Sequence, residues 1–441
     1  MRIGTMKSTP IRRVSARLAG AAMMLVCAGW LTAGVAQADE QDDAALSLAD
    51  KAPTDVEQAK SWKAFTEAAY GGDTLRAGDL AQRNQRLSFD LQFDKALAPG
   101  WRAIFADRLD VDWPDQVPDQ RAINTIKEAY VSWQSQPDRI IDFGRINVHE
   151  GVALGYNPTD FFRVGAVRSV VSVDPSSLKV NREGSVMLRG QTLWDGGSVT
   201  ALYSPKLEDR ASNDGFSPDL GATNNQNRFL ITASQKIVDG INPQLMLYKE
   251  DTLPTQLGFN LTGLVNDSTV AYLEWSGGRS PSSLAQALTQ QGVPHLDDSA
   301  FRNHLSTGLT YTTANKISLT AELEYDGAGL DQDNWDQLWH GPLPLYGLYR
   351  NWLQVAQQAP TKRRAFFYGS WQDALITHLD FSAMEYYDAA DYSRLSWLEA
   401  RYHMEHTEFA LQWQRNSGTS LSEYGAAPQI QGWQVVARYY F

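Results

Sequence analysis

The stretch of sequence that decides the fold is WQVVARYYF, residues 433–441. Every second residue points to one face of an extended chain, and here that face is apolar: Trp433, Val435, Ala437, Tyr439 and Phe441. The intervening residues are mostly polar and include Gln434 and Arg438. Strict alternation with a period of two predicts a β-strand with one apolar and one polar face.

A final amphipathic strand that ends in phenylalanine is typical of outer-membrane barrels, which present it to the outer-membrane assembly machinery. We therefore expect Phe441 to contact that machinery, and we expect the chain to be located in the cell outer membrane. The alternative is a soluble protein that ends on an edge strand. An exposed aromatic edge would promote aggregation, which disfavours this alternative.

The same alternation recurs through the rest of the chain. The clearest segments are residues 87–93, 101–113, 257–261, 317–325 and 409–413. A sandwich of two sheets would also alternate, but several of these segments reach about ten residues, the length that a tilted membrane strand needs. Aromatic residues at their ends match the girdles that flank the apolar band of a membrane barrel.

The connections between these segments alternate between short and long. Short turns are predicted near residues 97–100, 136–138, 195–197, 238–240, 266–267, 313–315, 371–374 and 403–405. Longer polar connections cover residues 71–84, 112–121, 151–182, 205–227, 277–300, 327–362 and 416–431, with two short ones near Thr252 and Ala390. We therefore predict an all-β, transmembrane, antiparallel up-and-down barrel of about 18 strands, with short periplasmic turns, long extracellular loops and both termini periplasmic.

Composition fits this class and excludes others. The chain has 441 residues, a mean hydropathy of -0.38 and a net charge of -12. After residue 38 no apolar run approaches the roughly 20 residues of a membrane helix. The acidic balance argues against nucleic acid as a partner. Cys27 is the only cysteine, so a disulfide framework and a thiolate metal site are excluded, and we expect no cofactor.

The beginning of the chain has the pattern of a secretory signal. A basic segment is followed by the uncharged apolar residues 18–35 and by Ala36-Gln37-Ala38, an A-x-A cleavage site. A twin-arginine signal at Arg12-Arg13 and a lipoprotein cysteine at Cys27 are weaker alternatives. We predict a signal peptide over residues 1–38, an acidic N-terminal periplasmic segment over residues 39–60, and the barrel over residues 61–441.

Several motifs resemble a known family. The segment IKEAYVSWQSQPDRIIDFGRINVHEG (residues 126–151), followed by YNPTDFF (156–162), is similar to the strand–turn–strand hallmark of alginate-export-type outer-membrane barrels and related porin-like barrels. GLTYTT (308–313) and LTAELEYDGAGL (319–330) add to the resemblance, which spans most of residues 86–441. It implies an eighteen-stranded barrel that passes polar or anionic solutes, in the namesake case a polyuronate guided by lumen arginines. Arg145, in the Gly144-Arg145 pair, is the position to which that role carries over.

Alternation also predicts which charged residues line the lumen, because a charge on the lipid face costs roughly 2–4 kcal/mol at mid-depth. Arg145 joins the set if a bulge near Asp142 and Phe143 resets the register. The predicted lining consists of Arg102, Arg108, Arg145, Arg189, Arg228, Arg302, Arg401 and Arg438, with Asp90, Asp110, Glu128, Glu274, Glu322, Glu324 and Glu399. Opposed charges of this kind can select solutes, although the same residues could pack a lumen shut.

Three further features carry weaker hypotheses. His304 and Ser306 share one strand face, as the base and nucleophile of a barrel lipase would, but no third orienting residue is evident. His403 and His406 lie near Glu405 and Glu408, where a solvated turn is favoured over a metal site. Residues 346–357 form the only helical pattern after residue 60, and this helix could be a plug in the mouth or a lid on the rim.

Taken together, these patterns predict a non-enzymatic outer-membrane channel for small polar or charged solutes, embedded in outer-membrane lipid. The alternatives are an exporter of an anionic polysaccharide and, more remotely, a barrel-embedded lipid hydrolase. A structural barrel with a closed lumen is also compatible with the pattern.

Overall fold

A computed structural model describes residues 61–77, 81–114, 121–294 and 297–441. Eighteen strands form one antiparallel sheet in which each strand pairs with its neighbours in sequence. The first strand pairs with both the second and the last, which closes the sheet into a barrel. The predicted fold class and strand number are therefore confirmed, while the predicted signal peptide and acidic segment lie outside the described residues.

The strands follow the predicted order of alternating segments. They are β1 (Trp62–Leu75), β2 (Ala81–Ala98), β3 (Trp101–Pro114), β4 (Arg121–Gln136), β5 (Arg139–Ile146), β6 (Ser185–Trp194), β7 (Gly197–Ser204), β8 (Arg228–Gln235), β9 (Gln244–Glu250), β10 (Gln256–Asn266), β11 (Thr269–Ser280), β12 (Ala300–Thr312), β13 (Ile317–Asp326), β14 (Arg363–Trp371), β15 (Leu379–Asp388), β16 (Arg394–His403), β17 (Thr407–Ser417) and β18 (Gln429–Tyr440).

Short and long connections alternate around the barrel as predicted, so one end carries turns and the other carries loops. The first described strand begins, and the last ends, at the turn end. Several boundary predictions were wrong by a few residues, and the largest difference is at residues 71–84, where β1 continues to Leu75 and β2 begins at Ala81. The predicted loops 112–121, 277–300 and 416–431 are also shorter, because β3 runs to Pro114, β11 runs to Ser280 and β18 begins at Gln429. Gly71 and Gly72 have no side chains, which hid the alternation at the end of β1.

The outer face of the barrel is apolar and exposed. Its solvent-exposed side chains include Leu87, Phe89, Phe143, Leu188, Phe229, Leu245, Leu257, Leu309, Leu323, Phe367, Leu398, Leu411 and Val435. Aromatic pairs lie near both ends, with Trp101 stacked on Trp133 at 5.5 Å near the turns and Tyr70 against Trp433 at 6.1 Å nearer the loops. So large an exposed apolar area is what a lipid-facing surface requires.

The described residues contain five helical segments, all in the loops. They are α1 (Pro175–Val180), α2 (Leu220–Thr223), α3 (Ser283–Gln290), α4 (Gln332–Trp339) and α5 (Leu343–Ala356). No described helix has the length and apolar character needed to cross a membrane. The prediction of a single helical stretch was wrong, because the other helices are too short to establish a periodic pattern. α5 matches that stretch but begins earlier, with Pro344 within its first turn, where a missing N–H is tolerated.

Helices α3, α4 and α5 pack together at the loop end. Trp335 and Tyr349 are fully buried in a cluster that also contains Leu338, Tyr346 and Leu353. The Tyr346 hydroxyl donates to the Leu421 carbonyl at 2.8 Å and ties α5 to the loop between β17 and β18. Val355, near the end of α5, is 58% exposed. Of the two predicted positions, α5 therefore takes the one at the rim, with its last turn bordering the mouth.

Candidate functional site: a divided lumen

The connection between β5 and β6, residues 147–184, folds into the barrel, and we call it the inner loop. Two buried carboxylates on the far wall hold it. Glu274 on β11 accepts hydrogen bonds from the backbone N–H groups of Val152 at 2.9 Å, Ala153 at 3.1 Å and Thr159 at 2.8 Å. A buried carboxylate is stable only with such donors around it. Glu274 therefore anchors the inner loop rather than lining an open passage.

Glu322 on β13 is the second anchor. It accepts from the backbone N–H groups of Leu154 at 2.5 Å and Gly155 at 2.9 Å, and from the Tyr272 hydroxyl at 2.6 Å. Both glutamates were predicted to face inward, and both do. The sequence did not indicate that a loop, rather than water, would meet them.

The wall beneath the inner loop is apolar. Phe162 of the loop is buried with Met187, Leu230 and Met246 of β6, β8 and β9. Phe161 stacks on Tyr248 at 4.4 Å. This cluster fills the lumen along β6–β9, so that side of the barrel is closed by packing.

The returning end of the inner loop is fixed by ion pairs. Arg182 binds Asp160 within the loop, and Arg145 at the end of β5 binds Glu183. The expected change in alternation occurs at Gly144, whose φ of 137° is left-handed and suits glycine. No register shift interrupts the pairing of β5 with β6, so the predicted bulge at Asp142 and Phe143 is corrected to this glycine. Arg145 is buried at the rim and borders none of the cavities described below.

The opposite side of the lumen carries a charge cluster centred on Glu67 of β1. Glu67 is almost fully buried and accepts hydrogen bonds from three guanidinium groups. The distances are 2.8 Å to Arg86, 3.0 Å to Arg108 and 2.7 Å to Arg438. A single carboxylate thus partly neutralises three arginines that belong to three different strands.

The charge cluster continues on both sides of Glu67. Arg108 donates to Asp110 at 2.9 Å, and the Lys127 ammonium lies 2.6 Å from Asp90. Lys127 was missed because the register between β3 and β4 shifts beside Asp107, which turns both Lys127 and its neighbour Glu128 away from the outer face.

On the other side, Arg401 of β16 binds Glu399 through two hydrogen bonds of 2.9 and 2.8 Å. Its third contact is Glu408 at 2.8 Å, which also receives Arg438 at 3.4 Å. The charge cluster is therefore one continuous network across β1–β4 and β16–β18, and its acids and bases alternate in space. Among the predicted lining residues, Arg108, Arg401, Arg438, Asp90, Asp110 and Glu399 belong to it.

The remaining predicted residues lie elsewhere on the inner face. Arg102 pairs with Asp94 near the turns, and Arg189 pairs with Asp142 at 2.8 Å. Glu324 pairs with Arg364 at 2.8 Å beneath the inner loop. Arg228 is buried over the Phe162 ring at 4.8 Å.

Arg302 holds the rim together by donating to the carbonyls of Ser280 and Gly327 at 3.0 and 3.1 Å. Together with Arg145 and Arg228, it has a structural position rather than the channel-lining position predicted for it.

Cavities remain in the described part of the barrel, and three of them lie beside the inner loop. A vestibule of about 920 Å³ lies between the inner loop and the outer loops, and its lining includes Arg163, Arg168, Arg182, Arg364 and Trp352. A cavity of about 360 Å³ lies between residues 171–181 of the inner loop and the charge cluster. Another, of about 350 Å³, lies between residues 170–173 and the wall nearer the loop end, where its lining includes Asp73, Asn84 and Gln429. The Val171 carbonyl accepts from Gln434 at 3.2 Å and from Arg86 at 3.4 Å. This contact ties residues 170–173 of the inner loop to the charged wall.

The histidine hypotheses can be compared with the geometry. His304 Nδ1 lies 2.9 Å from Asp326 and 3.3 Å from the Tyr156 hydroxyl, so an orienting carboxylate does exist, contrary to the prediction. The Ser306 hydroxyl, however, has no hydrogen-bond partner among the described residues, and it is fully buried. A serine nucleophile needs a base within hydrogen-bond reach, so this arrangement does not assemble a hydrolytic site.

His403 lies between Asp380 at 3.2 Å and Glu408 at 3.1 Å, whereas His406 lies 3.8 Å from Glu405. In the part of the chain that the structure describes, no group of three or more His, Cys, Asp or Glu side chains is arranged to hold a metal ion.

Comparison with known proteins identifies solved structures with a similar architecture. No protein-family model matches the chain, and no curated protein sequence matches it significantly. Solved structures do match: Pseudomonas aeruginosa OccK5 (OpdH) at a TM-score of 0.54 and 12% identity, over 86% of this chain and 97% of that one. The chain has the barrel fold of the Occ/Opd outer-membrane porins.

Two further structures agree. Acinetobacter baumannii OccAB1 matches with a TM-score of 0.52 and 10% identity, covering 86% of this chain and 96% of that one. P. aeruginosa OccK2 (OpdF), solved in complex with glucuronate, matches with a TM-score of 0.51 and 8% identity, covering 86% of this chain and 97% of that one. These similarities support the resemblance to porin-like barrels, but not the narrower alginate-export label.

Proposed function

We propose that this protein is an outer-membrane channel that passes small charged solutes between the inner loop and the charge cluster. The observation that carries the proposal is the position of the cavity of about 360 Å³. Arg86, Arg108, Arg401 and Arg438 border it on the wall, together with Glu67, Asp90 and Glu399, and residues 171–181 border it on the loop. Fixed charges beside a narrow aqueous gap in a low-dielectric wall concentrate counter-ions and discriminate between solutes.

The outer surface supports the proposed location. Its exposed apolar band suits outer-membrane lipid, and the predicted signal peptide would direct the chain across the inner membrane. The Phe441 backbone N–H donates to the Ala64 carbonyl at 3.1 Å, while its ring is half exposed beside Tyr439. This exposed ring is available to the outer-membrane assembly machinery.

The vestibule supports an anionic class of solute. Six basic residues and two acidic residues line it; the basic ones are Arg163, Arg168, Lys179, Arg182, Arg210 and Arg364, and the acidic ones are Asp209 and Asp219. Guanidinium groups bind carboxylates in a planar, bidentate geometry. A structural neighbour, OccK2, was solved with glucuronate, a small sugar acid. We therefore propose small carboxylates as the preferred solutes.

The alternative of a polysaccharide exporter fits less well. A polymer would have to pass the contact between Val171 and the charged wall, where the inner loop is held by Gln434 and Arg86. The remote alternative of a lipid hydrolase has no assembled nucleophile at Ser306.

Solute uptake by proteoliposomes tests the proposal. Vesicles containing the purified barrel should swell faster in glucuronate than in glucose, and a short polyuronate should not enter. Equal rates for glucuronate and glucose would refute the anionic preference. Entry of the polyuronate at a comparable rate would favour the exporter instead.

A further inference from the structure

The outer wall carries charged side chains where β14–β17 approach the loop end. Arg394 lies on the face of β16 opposite to the buried Trp397. Arg415 lies on the same face of β17 as the exposed Leu411. Arg363 likewise shares the outer face of β14 with Phe367, and Glu385 shares that of β15 with the exposed Ala383. These four charges, Arg363, Glu385, Arg394 and Arg415, therefore point away from the lumen, and we call them the arginine patch.

Strand register brings Glu385, Arg394 and Arg415 of the patch together. Ser396 is the direct partner of both Glu385 on one side and Arg415 on the other. Arg394 pairs with Tyr387 and with Ser417, so it is the diagonal neighbour of Glu385 and of Arg415, at a separation of about 7–8 Å. Arg363, the first residue of β14, lies opposite Ala389 at the end of β15, two strands from Arg394 and two residues nearer the rim.

The protein itself supplies only some of the hydrogen bonds and ion pairs that the side chains of the patch can make. Arg394 lies over the Tyr387 ring at 5.3 Å and 3.7 Å from Glu385, which accepts a hydrogen bond from Ser396 at 3.3 Å. Arg363 and Arg415 are exposed, and among the described residues their side chains have no hydrogen bond or ion pair. In contrast, Arg279, on the outer face of β11 near the same end, donates to the Ser299 carbonyl.

We propose that the arginine patch binds the phosphate of an outer-leaflet glycolipid that carries phosphomonoester groups. The inference rests on the proposed location in the outer membrane. Three arginines and one glutamate give the patch a net charge of 3 − 1 = +2. A phosphomonoester carries about −1.5 to −2 near neutral pH, and guanidinium groups bind phosphate oxygens in pairs. The phosphodiester of an ordinary phospholipid, with a single charge, matches the patch less well.

The position along the strands agrees with a headgroup. Arg363 and Arg394 begin their strands at the loop end, and Arg415 is the third residue from the end of β17. A charge is costly on the lipid face at mid-depth but much less so near the interface. Phosphates lie at that level, while the exposed Phe367, Leu398 and Leu411 below would contact the acyl chains. Basic clusters at membrane interfaces bind anionic headgroups in this way.

Binding of defined lipids to the purified barrel in detergent tests the proposal. Diphosphoryl lipid A should bind more tightly than its dephosphorylated form and more tightly than phosphatidylglycerol. Replacing Arg363, Arg394 and Arg415 together by Gln should weaken lipid A binding by on the order of a hundredfold, and each replacement alone by about fivefold. The matched control is Arg139→Gln, because Arg139 is an exposed, outward-facing arginine at the turn end of β5.

The controls separate this proposal from the channel function. Single-channel conductance of the triple variant should equal that of the wild type, because the patch lies outside the lumen. If the triple variant does not fold, judged by heat-modifiable mobility, the exposed Arg415→Gln variant gives the comparison. Equal affinity of the patch variant and the wild type for lipid A would overturn the proposal. So would equal affinity for lipid A and phosphatidylglycerol. If the wild-type barrel showed no conductance, the proposed channel function would be refuted. The lipid A binding of the wild type and the patch variant would still decide the present proposal.

Discussion

Glu67 on the first strand and Arg438 on the last are direct cross-strand partners, and their side chains form an ion pair of 2.7 Å across the seam that closes the barrel. Because Glu67 also binds Arg86 and Arg108, the seam and the charged wall of the lumen depend on one carboxylate. Closure of the sheet and the proposed selectivity are therefore coupled at a single residue.

The Glu67→Gln variant should become more anion-selective, because three arginines lose the charge that offsets them. The reversal potential in a salt gradient should shift accordingly. Removing one partner of a buried ion pair costs about 3–5 kcal/mol in soluble proteins, so the variant should also melt at a lower temperature. Glu405→Gln, in an exposed turn, is the control. An unchanged reversal potential in a folded Glu67→Gln barrel would mean that this cluster lies outside the permeation path.

Replacing Glu274 and Glu322 together by Gln should loosen the inner loop, because a neutral amide is a weaker acceptor for their eight donors, among them the backbone N–H groups of residues 152–155 and Thr159. We expect noisier and larger conductance, and faster tryptic cleavage at Lys179 or Arg182. Glu405→Gln, in an exposed turn away from the inner loop, should change neither. If the double variant has wild-type conductance and protease resistance, these glutamates do not hold the loop in place.

We place the narrowest part of the proposed channel at the Val171 contact, and two changes to the loops test this position. Replacing residues 170–173 by two glycines should raise single-channel conductance, because it removes the Val171 contact with Gln434 and Arg86. Deleting residues 346–357 of the rim helix should have a much smaller effect. If deleting residues 346–357 raised the conductance more than the change at residues 170–173, the constriction would lie at α5, which would contradict the role given to the inner loop.

Removing Phe441 should lower the amount of barrel in the outer membrane, since the truncated strand lacks the exposed aromatic ring that the assembly machinery is expected to recognise. Heat-modifiable protein in outer-membrane fractions measures this. Leu375→Ala, which changes an exposed apolar side chain in a turn, is the control. Wild-type levels of the truncated protein in the outer membrane would show that assembly does not depend on Phe441.

Much of the barrel was predictable because each strand has an apolar outer face and a polar inner face. This alternation gave the strand number, the turns and the inward orientation of Glu274, Glu322 and Arg401. It could not indicate that residues 147–184 turn inward, since the loop is held by backbone N–H groups that every sequence possesses. Glu67 was missed because the alanines and glycines around it hide the alternation, and Lys127 because a register shift reverses it.

The central claim is that charged solutes pass between the inner loop and the charge cluster, and conductance of the purified barrel in planar lipid bilayers tests it most directly. We predict discrete, reproducible channel steps whose size falls when glucuronate is added, because the sugar acid occupies the charged gap. A folded, heat-modifiable barrel that inserts into the bilayer and gives no conductance steps would contradict the claim.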